Sequence, residues 1–133
     1  MNRLMELLAD RPVLYLATVE GYHPRVRPMN HYMVYKNRLY LAMNREKEAY
    51  KQLLDNTNLE LCTALDENRF LRIQGTVDFD RDPASYEAVY QALPDLKDAY
   101  PTDSNKHLAL VYLDQISAIV FDRQDNTKTI AHT

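Results

Sequence analysis

The run HPRVRPMNHY, residues 23 to 32, holds the densest set of groups able to grip an anion. Side chains alternate faces along an extended strand. Arg25, Arg27, Met29 and His31 therefore fall on one side, and Val26, Pro28, Asn30 and Tyr32 on the other. Alternate strand residues stand about 7 Å apart, so the two guanidinium groups can clamp one phosphate or carboxylate. The plain alternative is a solvated outer face with scattered ion pairs. Pro28 cannot donate to a strand ladder and belongs on an edge, at a strand start or at a bulge. Backbone groups left free beside it suit a planar heterocycle; an ordinary edge strand is the alternative.

A second cluster opens a helix predicted to start at Asn44. Arg45 and Lys47 occupy its first turn and Lys51 follows Lys47 by four residues, although cations are disfavoured at the positive end of a helix. A bound anion resolves that conflict, because unpaired N–H groups at a helix start hold phosphate. Glu46 and Glu48 offer ordinary dipole compensation instead. His31 is the one candidate proton donor, since an imidazole titrates near about 6.5; a packed or exposed histidine is the plainer reading. Specific catalytic residues are otherwise not assigned.

Other chemistries find less support. The four histidines, His23, His31, His107 and His132, lack ligand spacing, so no metal is expected. Cys62 stands alone among leucines and reads as a small core residue, and a single cysteine forms no intrachain disulfide. Asp78, Asp80 and Asp82 lack the glycine and distal glutamate of a calcium loop. Only two glycines occur, Gly21 and Gly75, which excludes glycine-rich nucleotide and phosphate loops. Ten tyrosines suggest base stacking, yet several fall on apolar faces, and the net charge of −3 opposes a nucleic-acid binder. The charge is uneven: residues 1 to 54 balance at +4 and residues 55 to 133 at −7. No apolar run approaches the roughly 18 residues of a membrane span, so a soluble, cytoplasmic protein is expected.

The elements that must position these groups follow from the remaining pattern. With 133 residues, 46% hydrophobic and 26% charged, the chain suits one domain, taken as residues 1 to 122 with a polar, frayed tail over 123 to 133. A short N-terminal helix carries Leu4, Met5, Leu7 and Leu8. Strands are predicted over 13–19, over one long stretch from Arg25 to Tyr35, and over 38–43 after a tight Lys36-Asn37 turn. A helix of about 11 residues runs from Asn44 to near Asn56. Strands over 59–65 and 69–79 follow, with a bulge or close backbone approach at Gly75. Asp82 caps a helix with Pro83 at its first position, DLKDAY adds a helical turn, and LALVYL and ISAIVF flank Asp114-Gln115, which reads either as one bulged strand or as two strands with a kink. The fold class is mainly β with flanking helices, a six- to seven-stranded antiparallel split barrel, because closure removes exposed edges. Pairing of the second and third strands would set Arg25 and Arg27 beside the Asn44 helix start in one cleft.

The runs PRVRPMNHY, LYLAMNREKEAYKQLLDNTNLELC and RIQGTVDF resemble the short members of the pyridoxamine 5′-phosphate oxidase-like family, the FMN-binding split barrels. The likeness covers roughly residues 10 to 122 and is nearest to the nitroimidazole-reductase-like group. It implies a homodimer with FMN at the interface, a small-molecule substrate and NAD(P)H as a possible electron donor. It also implies that Arg25, Val26, Arg27, Pro28 and Met29 line the flavin, that Asn44, Lys47, Lys51 and Gln52 belong to its phosphate side, and that Arg72 approaches from the strand bordering the interface. Met43 stands where relatives often have threonine and Asn30 where the vitamin-converting oxidases carry a lysine. Their C-terminal tryptophan and arginine segment is missing, so oxidation of pyridoxamine phosphate is not expected. A flavin-dependent oxidoreductase is the leading expectation; a flavin-storing or flavin-sensing module and a barrel holding haem or a deazaflavin are the alternatives.

Overall fold

The computed structural model describes residues 1–100, 107–124 and 127–132. Helix α1 (Asn2–Leu7) precedes strands β1 (Leu14–Glu20), β2 (His23–Met29), β3 (Tyr32–Tyr35) and β4 (Arg38–Asn44). Helix α2 (Glu48–Asp55), strands β5 (Asn58–Ala64) and β6 (Arg69–Asp80), helices α3 (Pro83–Ala92) and α4 (Leu96–Ala99), and strands β7 (Leu108–Asp122) and β8 (Lys128–His132) complete it. One antiparallel sheet runs β2-β1-β5-β6-β7-β4-β3, with β8 added beside β7. The sheet does not close: β2 and β3 form its two ends, which makes the barrel a split one.

Local chemistry explains the turns. Gly21 and Tyr22 join the Glu20–His23 pair with positive φ at Gly21 alone, the pattern of a type II′ hairpin. Lys36 and Asn37 both take positive φ between paired Tyr35 and Arg38, which is type I′. Gly75 lies where the β6–β7 register shifts between Gln74 and Thr76, and a Cβ there would come 3.0 Å from the Asp114 carbonyl oxygen. Opposite, Gln115 takes φ 49 and kinks β7, so LALVYL and ISAIVF form one bent strand. Asp82 caps α3 through the Ala84 N–H, with Pro83 in its first turn.

Three sequence expectations need correction. The extended stretch from Arg25 to Tyr35 is two strands: β2 pairs with β1 and β3 with β4, at opposite ends of the sheet. The corner at Asn30-His31 is tied down by Arg11, which donates to the Tyr32 and Asn30 carbonyls, and by the Ala42 N–H bonding the His31 carbonyl. Second, α2 starts at Glu48 with Lys47 at its cap position, not at Asn44. Asn44 is still in the β4 ladder opposite Leu108, and its Oδ1 accepts from the Glu46 N–H in a tight turn. Third, the tail is not wholly frayed: β8 pairs with β7 and Ile130 packs on the core, giving eight strands among the described residues rather than the six or seven expected.

Two apolar clusters hold the fold. Leu14, Leu16, Leu41, Leu61, Leu71 and Ile73 fill the barrel, which α2 plugs with Ala49, Tyr50 and Leu53. On the other face of β4 and β7, Tyr40, Leu108 and Leu110 pack against Tyr86, Val89 and Leu96 of α3 and α4. Tyr40 is 1% exposed and its hydroxyl donates to Asp80 Oδ2 at 2.7 Å. Burial, and then the adjacent Asp80 carboxylate, push the Tyr40 phenol up to about 12. The neutral phenol is the form the fold favours. Its stabilisation is therefore complete below pH 10, the ordinary value, and is lost as pH rises towards about 12. Urea unfolding of Tyr40→Phe is expected to show a loss of about 1 kcal/mol at neutral pH and a shallower alkaline decline than the parent. Parallel alkaline curves would contradict this.

Candidate functional site

The β2–β3 corner, the end of β4 and the start of α2 enclose a cleft of about 470 Å³. Residues 27–31 form one wall, 42–44 the second and 47–49 the third, and Tyr100 after α4 closes the side. The volume lies within the roughly 300–1,000 Å³ of small-molecule sites. A cavity of about 480 Å³ at the Gly75 bulge has Glu60 as its one charged lining residue, so it offers no cation to an anionic ligand. Among the described residues no three His, Cys, Asp or Glu side chains gather as a metal site, and no helix is long and apolar enough to cross a membrane.

The two arginines of β2 part company. Arg25 is half-exposed and donates from Nε and Nη2 to Glu20 Oε1, at 3.1 and 2.9 Å, on the surface. That ion pair holds the Glu20 carboxyl below its usual value. Arg27 lies opposite Leu16, whose side chain is in the core, and so turns inward against α2. There Nη1 donates to Thr18 Oγ1 at 2.7 Å and Nη2 to Gln52 Oε1 at 2.8 Å. Burial lowers the Arg27 pKa, yet a guanidinium stays charged at neutral pH. The result is a cation held by two buried neutral groups at the cleft wall.

Arg27, Pro28, Met29, His31, Asn44 and Lys47 all line this cleft. Of the expected grouping of Arg25 and Arg27 with the Asn44 region, the cleft brings together Arg27 and Asn44 and leaves Arg25 outside, and the route differs. The Asn30-His31 corner makes the connection, since β2 and β4 are not paired. Pro28 lies on the edge strand, where its missing N–H costs nothing. Lys47 makes no ion pair among the described residues, whereas Arg45 leaves the cleft and donates to the Tyr86 hydroxyl at 2.8 Å.

Other predicted residues stand elsewhere. Val26 is 69% exposed on the opposite face of β2, and Lys51 points to solvent. Gln52 is buried beneath Arg27 instead of lining the cleft. Arg72 alternates with buried Leu71 and Ile73, so it faces outward, 4.8 Å from the Phe121 ring centre and near Glu60. Cys62 is likewise exposed on this outer face, not buried among leucines. Thr18 and Tyr100 are absent from the sequence-derived site. The spacing of Thr18 from Leu14 and Leu16 carried a usable signal: a threonine in register with core leucines needs a buried polar partner.

Comparison with known proteins extends this geometry. The sequence profile described as pyridoxamine 5′-phosphate oxidase matches residues 2–119. The chain belongs to the pyridoxamine 5′-phosphate oxidase family. Within that family setting, it is similar to a NimC/NimA family protein from Clostridium acetobutylicum. That match has 30% identity and a TM-score of 0.89, over 98% of this chain and 90% of that one. Two more distant structures share the oxidase-family fold. One is a FAD-binding protein from Mesorhizobium loti, with 14% identity, a TM-score of 0.65 and coverage of 88% and 90%. The other is a heme binding protein from Mycobacterium smegmatis, with 11% identity and a TM-score of 0.74, over 97% of this chain and 56% of that one. No curated protein matches the sequence significantly.

Proposed function

We propose that this chain binds FMN in the cleft and acts as a flavin-dependent oxidoreductase on a small molecule. The observation that carries the reading is the pairing of a fixed inward cation, Arg27, with Lys47, which makes no ion pair among the described residues, at a cleft floored by Met29 and Met43. Cations suit a phosphate monoester, and methionine and tyrosine side chains suit a planar ring. Family membership and the likeness to a FAD-binding structure agree with a flavin. Met43, 6% exposed at the wall, gives an apolar contact where a hydroxyl would have bonded the phosphate chain. Glu48 at the same rim is the one group that opposes an anion, and it is exposed.

A bound flavin supplies hydride and electron transfer, which leaves binding, orientation and proton supply to the protein. In this reading Arg27 and Lys47 neutralise the phosphate, and Met29 and Met43 pack against the ring. His31 at the rim holds a proton for delivery to substrate. The lone free Cys62 agrees with a reducing, cytoplasmic setting.

The proposal includes a homodimer. One register row crosses the outer face through Pro28, Tyr15, Cys62, Arg72 and Ile119. Beside it lie Val26 and the stacked rings of Phe70 and Phe121, 4.9 Å apart. Val26 and Tyr15 are 69% and 49% exposed. An apolar face of this extent is suited to a second copy, which would bring its own Arg72 near the flavin edge.

The enzymatic claim is tested by reducing the FMN-loaded protein anaerobically with NADH or NADPH and mixing it with a panel of nitroaromatic, quinone and oxygen acceptors. Reoxidation at least about tenfold faster with one acceptor than with buffer supports turnover. Reoxidation independent of every acceptor would point to a flavin-storing module. A second reading, haem in the same cleft, draws on His31, whose imidazole would hold the iron, and on the heme-binding neighbour. It predicts a Soret band on haem addition and weaker binding in His31→Ala.

A further inference from the structure

Arg27 carries five N–H donors, and the contacts around it show which of them are spent. Nη1 donates to Thr18 Oγ1 at 2.7 Å and more weakly to the Leu16 carbonyl at 3.4 Å; Nη2 donates to Gln52 Oε1 at 2.8 Å. These bonds occupy the end of the guanidinium. The Nε–H and the second Nη2–H remain, and they lie parallel along one side of the group. No other described residue takes them. Arg27 lines the cleft, and its partnerless Nε is not buried, since the one buried side-chain donor without a partner among the described residues is Arg45 Nε. This side-on edge is the one Arg25 uses to grip Glu20.

The groups behind Arg27 are themselves fixed. Thr18 is 1% exposed and Gln52 5%. The Thr18 hydroxyl accepts from Arg27 and donates to Gln52 Oε1 at 2.5 Å, so both its roles are used. Gln52 Oε1 accepts twice, and Gln52 Nε2 faces Glu20 Oε2 at 3.5 Å. A flipped amide would set its NH2 group against Arg27 and its oxygen against Glu20. The triad therefore has one hydrogen-bonding arrangement, and a preorganised fork loses less freedom when it binds.

We infer that Thr18 and Gln52 are positioning residues that present the Nε/Nη2 edge of Arg27 to two oxygens of a phosphate monoester in the cleft. The inference rests on the flavin reading above and adds to it the means by which the site distinguishes FMN from unphosphorylated riboflavin. Neither positioning residue touches the ligand, so their loss should change the phosphate preference and leave contacts to the ring alone.

Fluorescence titrations of the full-length protein and its Thr18→Val variant with FMN and with riboflavin test this. The parent is expected to prefer FMN. Thr18→Val should weaken FMN binding about tenfold while riboflavin binding stays within about twofold, and Thr18→Ser should restore the preference. Gln52→Met should give the same split and serves as the second variant if Thr18→Val fails to fold, as judged by thermal unfolding. Equal weakening of both ligands in the variants, or no change in either, would overturn the positioning role. A parent that binds FMN and riboflavin alike would overturn the phosphate contact but leave the flavin reading standing. A parent that binds neither would overturn that reading itself.

Discussion

Arg27→Ala is expected to lower FMN affinity about 100-fold while the chain stays folded. The side chain is the inward cation of the cleft, and its two remaining N–H groups are placed for charge-assisted bonds. Two such bonds to a phosphate contribute about 3 kcal/mol, which corresponds to roughly two orders of magnitude in Kd. The truncation also strands Thr18 and Gln52, but these satisfy each other through their 2.5 Å bond, so the cost to folding stays near 1–2 kcal/mol. Arg25→Ala, by contrast, removes an exposed, solvent-screened pair with Glu20 and should leave flavin affinity within about threefold. Equilibrium titration with FMN and urea unfolding of both variants check the contrast. Equal losses in the two variants would mean that the inward turn of Arg27 has no bearing on the ligand.

The second large effect concerns the outer face. The double variant Tyr15→Glu with Val26→Glu changes two side chains that are already exposed in a single copy, 49% and 69%. Exposed substitutions normally alter stability by less than about 0.5 kcal/mol each. In a dimer built on this face the same changes would bury like charges against an apolar partner, at several kcal/mol. The expected outcome is a folded monomer with weakened flavin retention, measured by sedimentation equilibrium and by absorbance of the desalted protein. A parent that is monomeric and still holds flavin would contradict the homodimer, and a double variant that remains dimeric would place the interface elsewhere.

These expectations rest on features that differ in how visible they were in the sequence. The Lys36-Asn37 turn, the Asp82-Pro83 helix start, the Gly75 bulge and the Gln115 kink are local chemistry, and each appears where the residue types called for it. The corner at Asn30-His31 was not legible. Period-two alternation runs through it unbroken, and only pairing with β1 on one side and β4 on the other divides the strand. Asn44 illustrates the same limit: asparagine suits a helix cap and an Asx turn alike, and the long-range pairing with Leu108 decides for the turn. The polar composition of the tail hides β8, which is held mainly by backbone pairing to β7.

The site was legible in part for a related reason. Residue types in HPRVRPMNHY announced an anion-binding chemistry, but nothing local distinguished Arg25 from Arg27. Both lie on the same face of β2, opposite Leu16 and Thr18, and long-range partners separate them: Thr18 and Gln52 hold Arg27, and Glu20 captures Arg25. Arg72 was grouped with the same ligand, yet in one copy it stands on the outer face beside Phe121. It rejoins the site only through the proposed second copy.

The central claim is that the Arg27–Lys47 cleft holds a phosphorylated flavin. The most direct test is the near-ultraviolet and visible absorbance spectrum of the purified protein before and after incubation with FMN and desalting. Two flavin bands that stay with the protein, close to one FMN per chain, are the predicted result. A flat spectrum after FMN loading would contradict the claim, and a Soret band with no flavin bands would replace flavin by haem.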